Sequence, residues 1–231
     1  MRVVRVLVVV LAAGTVVLAG TARGQPSFTY DRALGALARE ALWQALPADT
    51  RAMKRRIERV SVRCYLSRTA FEHSFELRFG ISARKVIAYY AGGPDVHLRS
   101  LTCENVRSFV SGRHTIFTSA ALSILLHESL HRQGVRNERL TTCFANEAVR
   151  WGAEWLGSSS ERALRARNLA FEYTRRYSPP SYVMGRPTCL ALARNRSWRE
   201  FTSGWAGRGA ARAGGAPQPG RGLRGETTPG T

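Results

Sequence analysis

The chain has 231 residues and a formal net charge of +19, from 35 Lys and Arg against 16 Asp and Glu. That length holds one domain with its own core, plus ends that need not fold. Only Lys54 and Lys85 are lysines, and the arginines are spread along the chain with no nucleic-acid-binding motif among them. The charge by itself favours anionic partners, nucleic acid included, but without such a motif it does not point to a specific nucleic-acid ligand. It reads as a compositional bias of the surface, or as a surface for an anionic cell-envelope polymer or lipid.

The first 24 residues, MRVVRVLVVVLAAGTVVLAGTARG, have the layout of a secretory signal. Arg2 and Arg5 form a positive start, Val6 to Leu18 an apolar stretch, and Gly20-Thr21-Ala22 a small-residue cleavage site. A signal peptide over 1–22 is expected, with an uncleaved anchor as the alternative, although the apolar run is short for a membrane span. Such a chain would be secreted or held at the cell envelope. Outside the cytoplasm, Cys64, Cys103, Cys143 and Cys189 read as two disulfides, and the absence of any CxxC pair argues against a zinc ribbon. Three pairings are open.

A helix is expected over 31–46, with Leu34, Leu37, Ala41, Leu42 and Ala45 at helical spacing, Asp31 as its cap and Pro47 as its stop. A second follows over 51–60, with Met53, Ile57 and Val60 on one side. From 61 to 99 the pattern is mixed. Phe71, Phe75, Leu77 and Phe79 are candidate core positions of one or two short elements, VIAYYAGG at 86–93 is a strand or buried turn, and VHL at 96–98 is a short extended piece. Helical signal returns over 118–134, capped by Thr118 or Ser119 and ended by Gly134. It continues from Asn137 to Trp155 and over 160–177, where Pro179-Pro180 breaks it. The segment after Trp205 is Gly-, Pro- and Arg-rich and cannot pack a core. The expectation is a mostly α fold with minor β (α+β), as a single monomeric domain over 23–205 with a tail over 206–231.

Residues 125–134 read LLHESLHRQG. In a helix, His127 and His131 lie one turn apart on one face, so both imidazoles can reach one Zn²⁺. Glu128 projects about 100° away, where it can take a proton from water held at the metal. Leu122, Leu125, Leu126 and Leu130 anchor the same helix in a core. Catalytic zinc takes three protein ligands and keeps one open position. Glu138, Glu147, Cys143 and Asn137 are the candidates for the third. The short connection through Gly134 favours Glu138. Angular position favours Glu147, which lies beside the apolar stripe of Leu140, Phe144, Ala148, Trp151 and Trp155. Cysteine is better spent in a disulfide and asparagine as a helix cap. His114 is a candidate transition-state donor with an ordinary surface role as its rival. Tyr173, Tyr177 and Tyr182 are candidate oxyanion donors, with nothing to choose among them.

The stretch HESLHRQGVRNERLTTCFANE resembles zinc-metallopeptidase-like proteins of the HExxH superfamily, especially uncharacterised exported proteins of high-GC actinobacteria. The matching positions are the two histidines, Gly134, Glu138, Cys143 and Ala145. DVHLRSLTC at 95–103 is similar to the region before the motif helix, with Cys103 in place. The departures are Glu147, where that pattern has glutamine, and Ser129, where many zinc peptidases carry a bulky apolar residue. The likeness covers about 50 residues. It implies a small zincin-like domain with an HExxH helix and a following ligand helix. Zn²⁺ would be held by His127, His131 and Glu138 (Glu147 the alternative third ligand), with Glu128 as base and a peptide, protein or peptidoglycan-stem substrate. It also implies the pairings Cys103–Cys143 and Cys64–Cys189. The rival expectation is a noncatalytic basic binding or structural protein of the envelope.

Overall fold

The computed structural model describes residues 27–45 and 57–194. The expected signal peptide, the tail and most of the 51–60 helix lie outside the described residues. In chain order the elements are β1 (Phe28–Tyr30), α1 (Arg32–Ala45), β2 (Ser61–Tyr65), α2 (Arg68–Phe79), β3 (Ala88–Tyr90), β4 (Asp95–Leu98), α3 (Ser100–Val110), α4 (Ile116–Gln133), α5 (Glu138–Trp155), α6 (Ser160–Tyr177), a 3₁₀ turn (Pro180–Tyr182) and α7 (Arg186–Arg194). The fold is mostly α with a small sheet, as expected.

The sheet runs β1-β2-β4-β3. β2 and β4 are parallel, and β1 and β3 flank them antiparallel. β3 is therefore an edge strand. It joins β4 through Gly92 and Gly93, both at positive φ, a conformation side chains resist. Alternation divides the sheet faces. Val62, Cys64, Val96 and Leu98 look into the main core, with Leu34, Leu37, Leu42, Val106, Phe109, Leu122, Leu125, Leu126 and Leu130. The other face carries Arg63, Tyr65, Tyr89, Asp95 and His97, partly covered by α2. There the Tyr65 hydroxyl reaches His97 Nδ1 at 3.0 Å and Ser74 Oγ at 2.6 Å. Arg63 pairs with Asp95 at 2.5 Å.

Two boundaries differ from expectation. α4 begins at Ile116, and its cap is Thr115 rather than Thr118 or Ser119. The Thr115 side chain accepts from the Thr118 N–H while Thr118 answers at the Thr115 N–H, a reciprocal capping box. The 71–79 aromatics belong to one helix, α2, capped by Ser67 and closed by Gly80. Phe71 and Phe75 are buried, but Leu77 is 75 % exposed and no part of the core. α1 is capped by Asp31, whose carboxylate accepts the Leu34 N–H.

Helices α4, α5 and α6 are held in register by a buried polar chain. Ser123 Oγ donates to Asn146 Oδ1 at 2.7 Å, and Asn146 Nδ2 donates to Thr174 Oγ1 at 3.1 Å. Unpaired, these groups would each cost about 1–3 kcal/mol, so they specify this alignment against sliding. Gly152 lets α1 approach α5. A Cβ there would sit 3.2 Å from Leu122 Cδ2 and 3.3 Å from Ala41 Cβ.

All four cysteines are bridged, but not as the resemblance implied. Cys64 on β2 pairs with Cys103 on α3, and Cys143 on α5 pairs with Cys189 on α7. Cys64 points into the main core, where α3 packs against the same sheet face, which brings the Cα atoms to 5.9 Å. Cys143 and Cys189 lie 5.6 Å apart. Each bridge closes a loop of about 40 residues and contributes about 4 kcal/mol on a chain-entropy basis. Two such bridges suit an oxidising compartment. Among the described residues no helix is long and apolar enough to cross a membrane.

Candidate metal centre

The site is built where α4 ends and α5 begins. α4 is anchored by Leu122, Leu125, Leu126 and Leu130, all fully buried, which fixes the rotation of the helix and presents His127 and His131 together. Their rings meet edge to face at 4.5 Å. Gly134, at φ 99, closes α4 with its N–H on the His131 carbonyl. Three residues later Asn137 caps α5 by accepting the Leu140 N–H, and Glu138 is the first residue of that helix. The tight return places Glu138 Oε2 3.0 Å from His127 Nε2 and 3.5 Å from His131 Nε2. The three ligand-type atoms lie within 4.8 Å of one another.

Both histidines are held from behind. His131 Nδ1 donates to the Val135 carbonyl at 2.6 Å, and His127 Nδ1 meets Thr142 Oγ1 at 3.1 Å. A carbonyl can only accept, so His131 carries its proton on Nδ1, and a neutral ring turns the Nε2 lone pair towards Glu138. A lone pair and a carboxylate oxygen facing each other repel. The arrangement is stable only with positive charge between or upon them, either a proton or a cation. Two imidazoles oriented through Nδ1 and one carboxylate suit a borderline divalent ion such as zinc.

The electrostatics follow from this crowding. Burial alone would raise the Glu138 carboxyl, but hydrogen bonds to His127 and His131 outweigh it and bring it down to about 2. Burial works against protonation of His131, yet the bond to Glu138, the charge of Glu128 and the Val135 carbonyl together raise it. Glu128 is raised by burial, although both histidines and, least of all, the backbone N–H of Tyr90 on the edge strand β3 oppose the shift. Ser129 next to it is completely buried, and its hydroxyl donates to the Leu125 carbonyl at 2.7 Å, so the small polar residue is satisfied inside the core.

Tyr182 joins the site from the 3₁₀ turn after the proline pair. Its ring stacks on His127 at 5.7 Å with 20° between planes, and its hydroxyl lies close enough to Glu138 to feel its charge. Burial, then the charges of Glu138 and Glu128, push it up to about 12, so it is a phenol at neutral pH. Thr142 also escaped the sequence reading. Its signal was its place one turn beyond Glu138, on the same face of α5.

Other candidates are elsewhere. Glu147 pairs with Arg167 at 3.5 Å and does not share the cluster of Glu138. Cys143 is in a disulfide and Asn137 is a cap. His114 stacks on Phe109 at 4.3 Å before the first turn of α4, about 20 Å along the axis from His127. Tyr173 and Tyr177 face Phe117.

No family model, no curated protein and no solved structure matches this chain.

Proposed function

We propose that this protein is an exported zinc-dependent hydrolase that cleaves amide bonds in a peptide, a protein or a peptidoglycan stem. The observation that carries the reading is the convergence of His127, His131 and Glu138 with Glu128 one residue along the same helix. Zinc bound by the three residues would polarise the scissile carbonyl and acidify a water molecule. Glu128, with its affinity for protons raised by burial, takes the proton from the water and passes it to the departing amine. Tyr182 keeps its proton at neutral pH and offers its hydroxyl to the oxyanion that forms at the carbonyl. Thr142 and the Val135 carbonyl orient the two imidazoles. β3, the edge strand beside Glu128, suits pairing with an extended peptide backbone.

The two disulfides support export. The +19 charge supports a second contact, with an anionic envelope polymer or lipid, and is the basis of the rival reading as a noncatalytic envelope protein with a structural zinc. Elemental analysis of the secreted, oxidised protein separates them when combined with peptide cleavage. We expect about one zinc per chain, absent from an H127A/H131A variant, and an E128Q variant that keeps zinc and loses cleavage. A wild-type protein that takes up no zinc when supplied with it would overturn the proposal.

A further inference from the structure

Between residues 117 and 131 of α4 every side chain is buried except four: Phe117, Ile124, Glu128 and His131. At 100° per residue these four fall within an arc of about 60°, so α4 opens to solvent along a single strip. One end of the strip is the metal centre. The other end is aromatic. Phe117 is 56 % exposed, and Tyr173 and Tyr177 of α6 lie over it at 6.2 and 6.4 Å, 5.0 Å from each other. Tyr177 is itself 57 % exposed. Five residues after Tyr177, Tyr182 stacks on His127. The end of α6 and the turn that follows therefore border the strip at both ends.

Isolated exposed apolar side chains need no explanation, but three contiguous aromatics on one open strip do. We infer that Phe117, Tyr173 and Tyr177 form a second subsite of the metal cleft, which takes a large apolar side chain of a peptide substrate. Phe117 and Glu128 are eleven residues apart on α4, about 16 Å along the axis. An extended peptide covers that distance in about five residues. The occupant follows from chemistry. Between the aromatic end and Glu128 the one α4 side chain open on the strip is Ile124. A sugar chain laid there would lose water from its hydroxyls and find no polar partner on this stretch of α4, whereas an apolar side chain loses nothing polar. The subsite rests on the proposed hydrolase reading and assigns its preference: a bulky apolar residue about five positions from the bond cut.

The test is calorimetric binding to the full-length, oxidised, zinc-loaded protein. The probes are acetohydroxamate, a small zinc chelator, and two series of hexapeptides bearing a hydroxamate at either the amino or the carboxyl end. Within each series the fifth residue from the hydroxamate is phenylalanine or serine. Phenylalanine should bind about tenfold or more tightly than serine in one series. F117A and Y177A should each remove that advantage and leave acetohydroxamate affinity and thermal stability unchanged, because both side chains are more than half exposed. Equal affinity of the phenylalanine and serine peptides in both series overturns the subsite and leaves the metal reading standing, as does an advantage that survives both substitutions. Failure of acetohydroxamate to bind overturns the metal reading and the subsite with it.

Discussion

Replacing Glu138 with glutamine removes the charge on which two histidines converge and keeps the side chain's size. In the metal-free protein the carboxyl falls from 4.5 to about 2. At 1.36 kcal/mol per unit this is about 3 kcal/mol of interaction with its neighbours. The Glu138 side chain is 38 % exposed, so solvent screening reduces the contribution to about 1–2 kcal/mol. Because the folded value is depressed, the Glu138 share is present above pH 4.5 and lost as pH falls towards 2. Because His131 is raised, its share is present below pH 6.5 and lost as pH climbs through the raised value. The pair therefore stabilises the metal-free fold most between pH 4.5 and 6.5, and the cost of E138Q should peak there. Urea unfolding in the presence of EDTA, from pH 3 to 9, reads this window. Elemental analysis of zinc-supplied E138Q and E147Q reads the metal. We expect zinc to be lost only from E138Q, since Glu147 is committed to Arg167. Zinc retained by E138Q and lost from E147Q would refute the assignment. Equal unfolding free energies for E138Q and wild type across the window would refute the electrostatic account.

Three further outcomes are expected. Thr142→Val removes the hydroxyl behind His127 at nearly constant volume, and zinc affinity in a chelator competition should fall about ten- to hundredfold; unchanged affinity would show that the hydroxyl does not orient the ring. Y182F should keep full zinc and lose about a hundredfold in kcat on a cleaved peptide, with kcat/KM falling in step, as for a group that acts in the transition state; a rise in KM alone would make Tyr182 a binding residue. His97, whose value is lowered to about 4 mainly by burial, stabilises the fold while neutral. About 3 kcal/mol should therefore be lost as pH falls from 6.5 to 4, and urea midpoints of an H97N variant should lack that slope.

The long helices were legible in the sequence because each carries its apolar stripe over several turns. The expected stretches 31–46, 137–155 and 160–177 correspond to α1, α5 and α6. The region 61–99 was less legible for a definite reason. In β2 the residues Val62 and Cys64 face the main core while Ser61, Arg63 and Tyr65 face a polar layer completed by Asp95 and His97. Alternation is present, but its second face is satisfied by partners about 30 residues away, so no local window displays it as burial. In α2 the exposed Leu77 obscures the spacing of Phe71, Phe75 and Phe79, which is otherwise helical.

At the candidate site, the histidine pair was legible because an i, i+4 spacing on a helix fixes proximity by itself. The choice between Glu138 and Glu147 was divided: the short connection through Gly134 pointed to Glu138, which shares the cluster, and angular position pointed to Glu147, which does not. An apolar stripe records how the body of a helix packs. The first residue of a helix is positioned by the turn that delivers it, here a left-handed Gly134 and the Asn137 cap, and its proximity to His127 owes nothing to the stripe of α5. The same holds for Tyr182, carried to His127 by a proline turn, and for the cysteines, whose partners are set by which elements share a face. Side chains delivered by turns carry no periodic signature. In this molecule they include the third ligand-type residue and the hydroxyl beside it, so caps, glycines and prolines say more about the chemistry of the site than helical phase does.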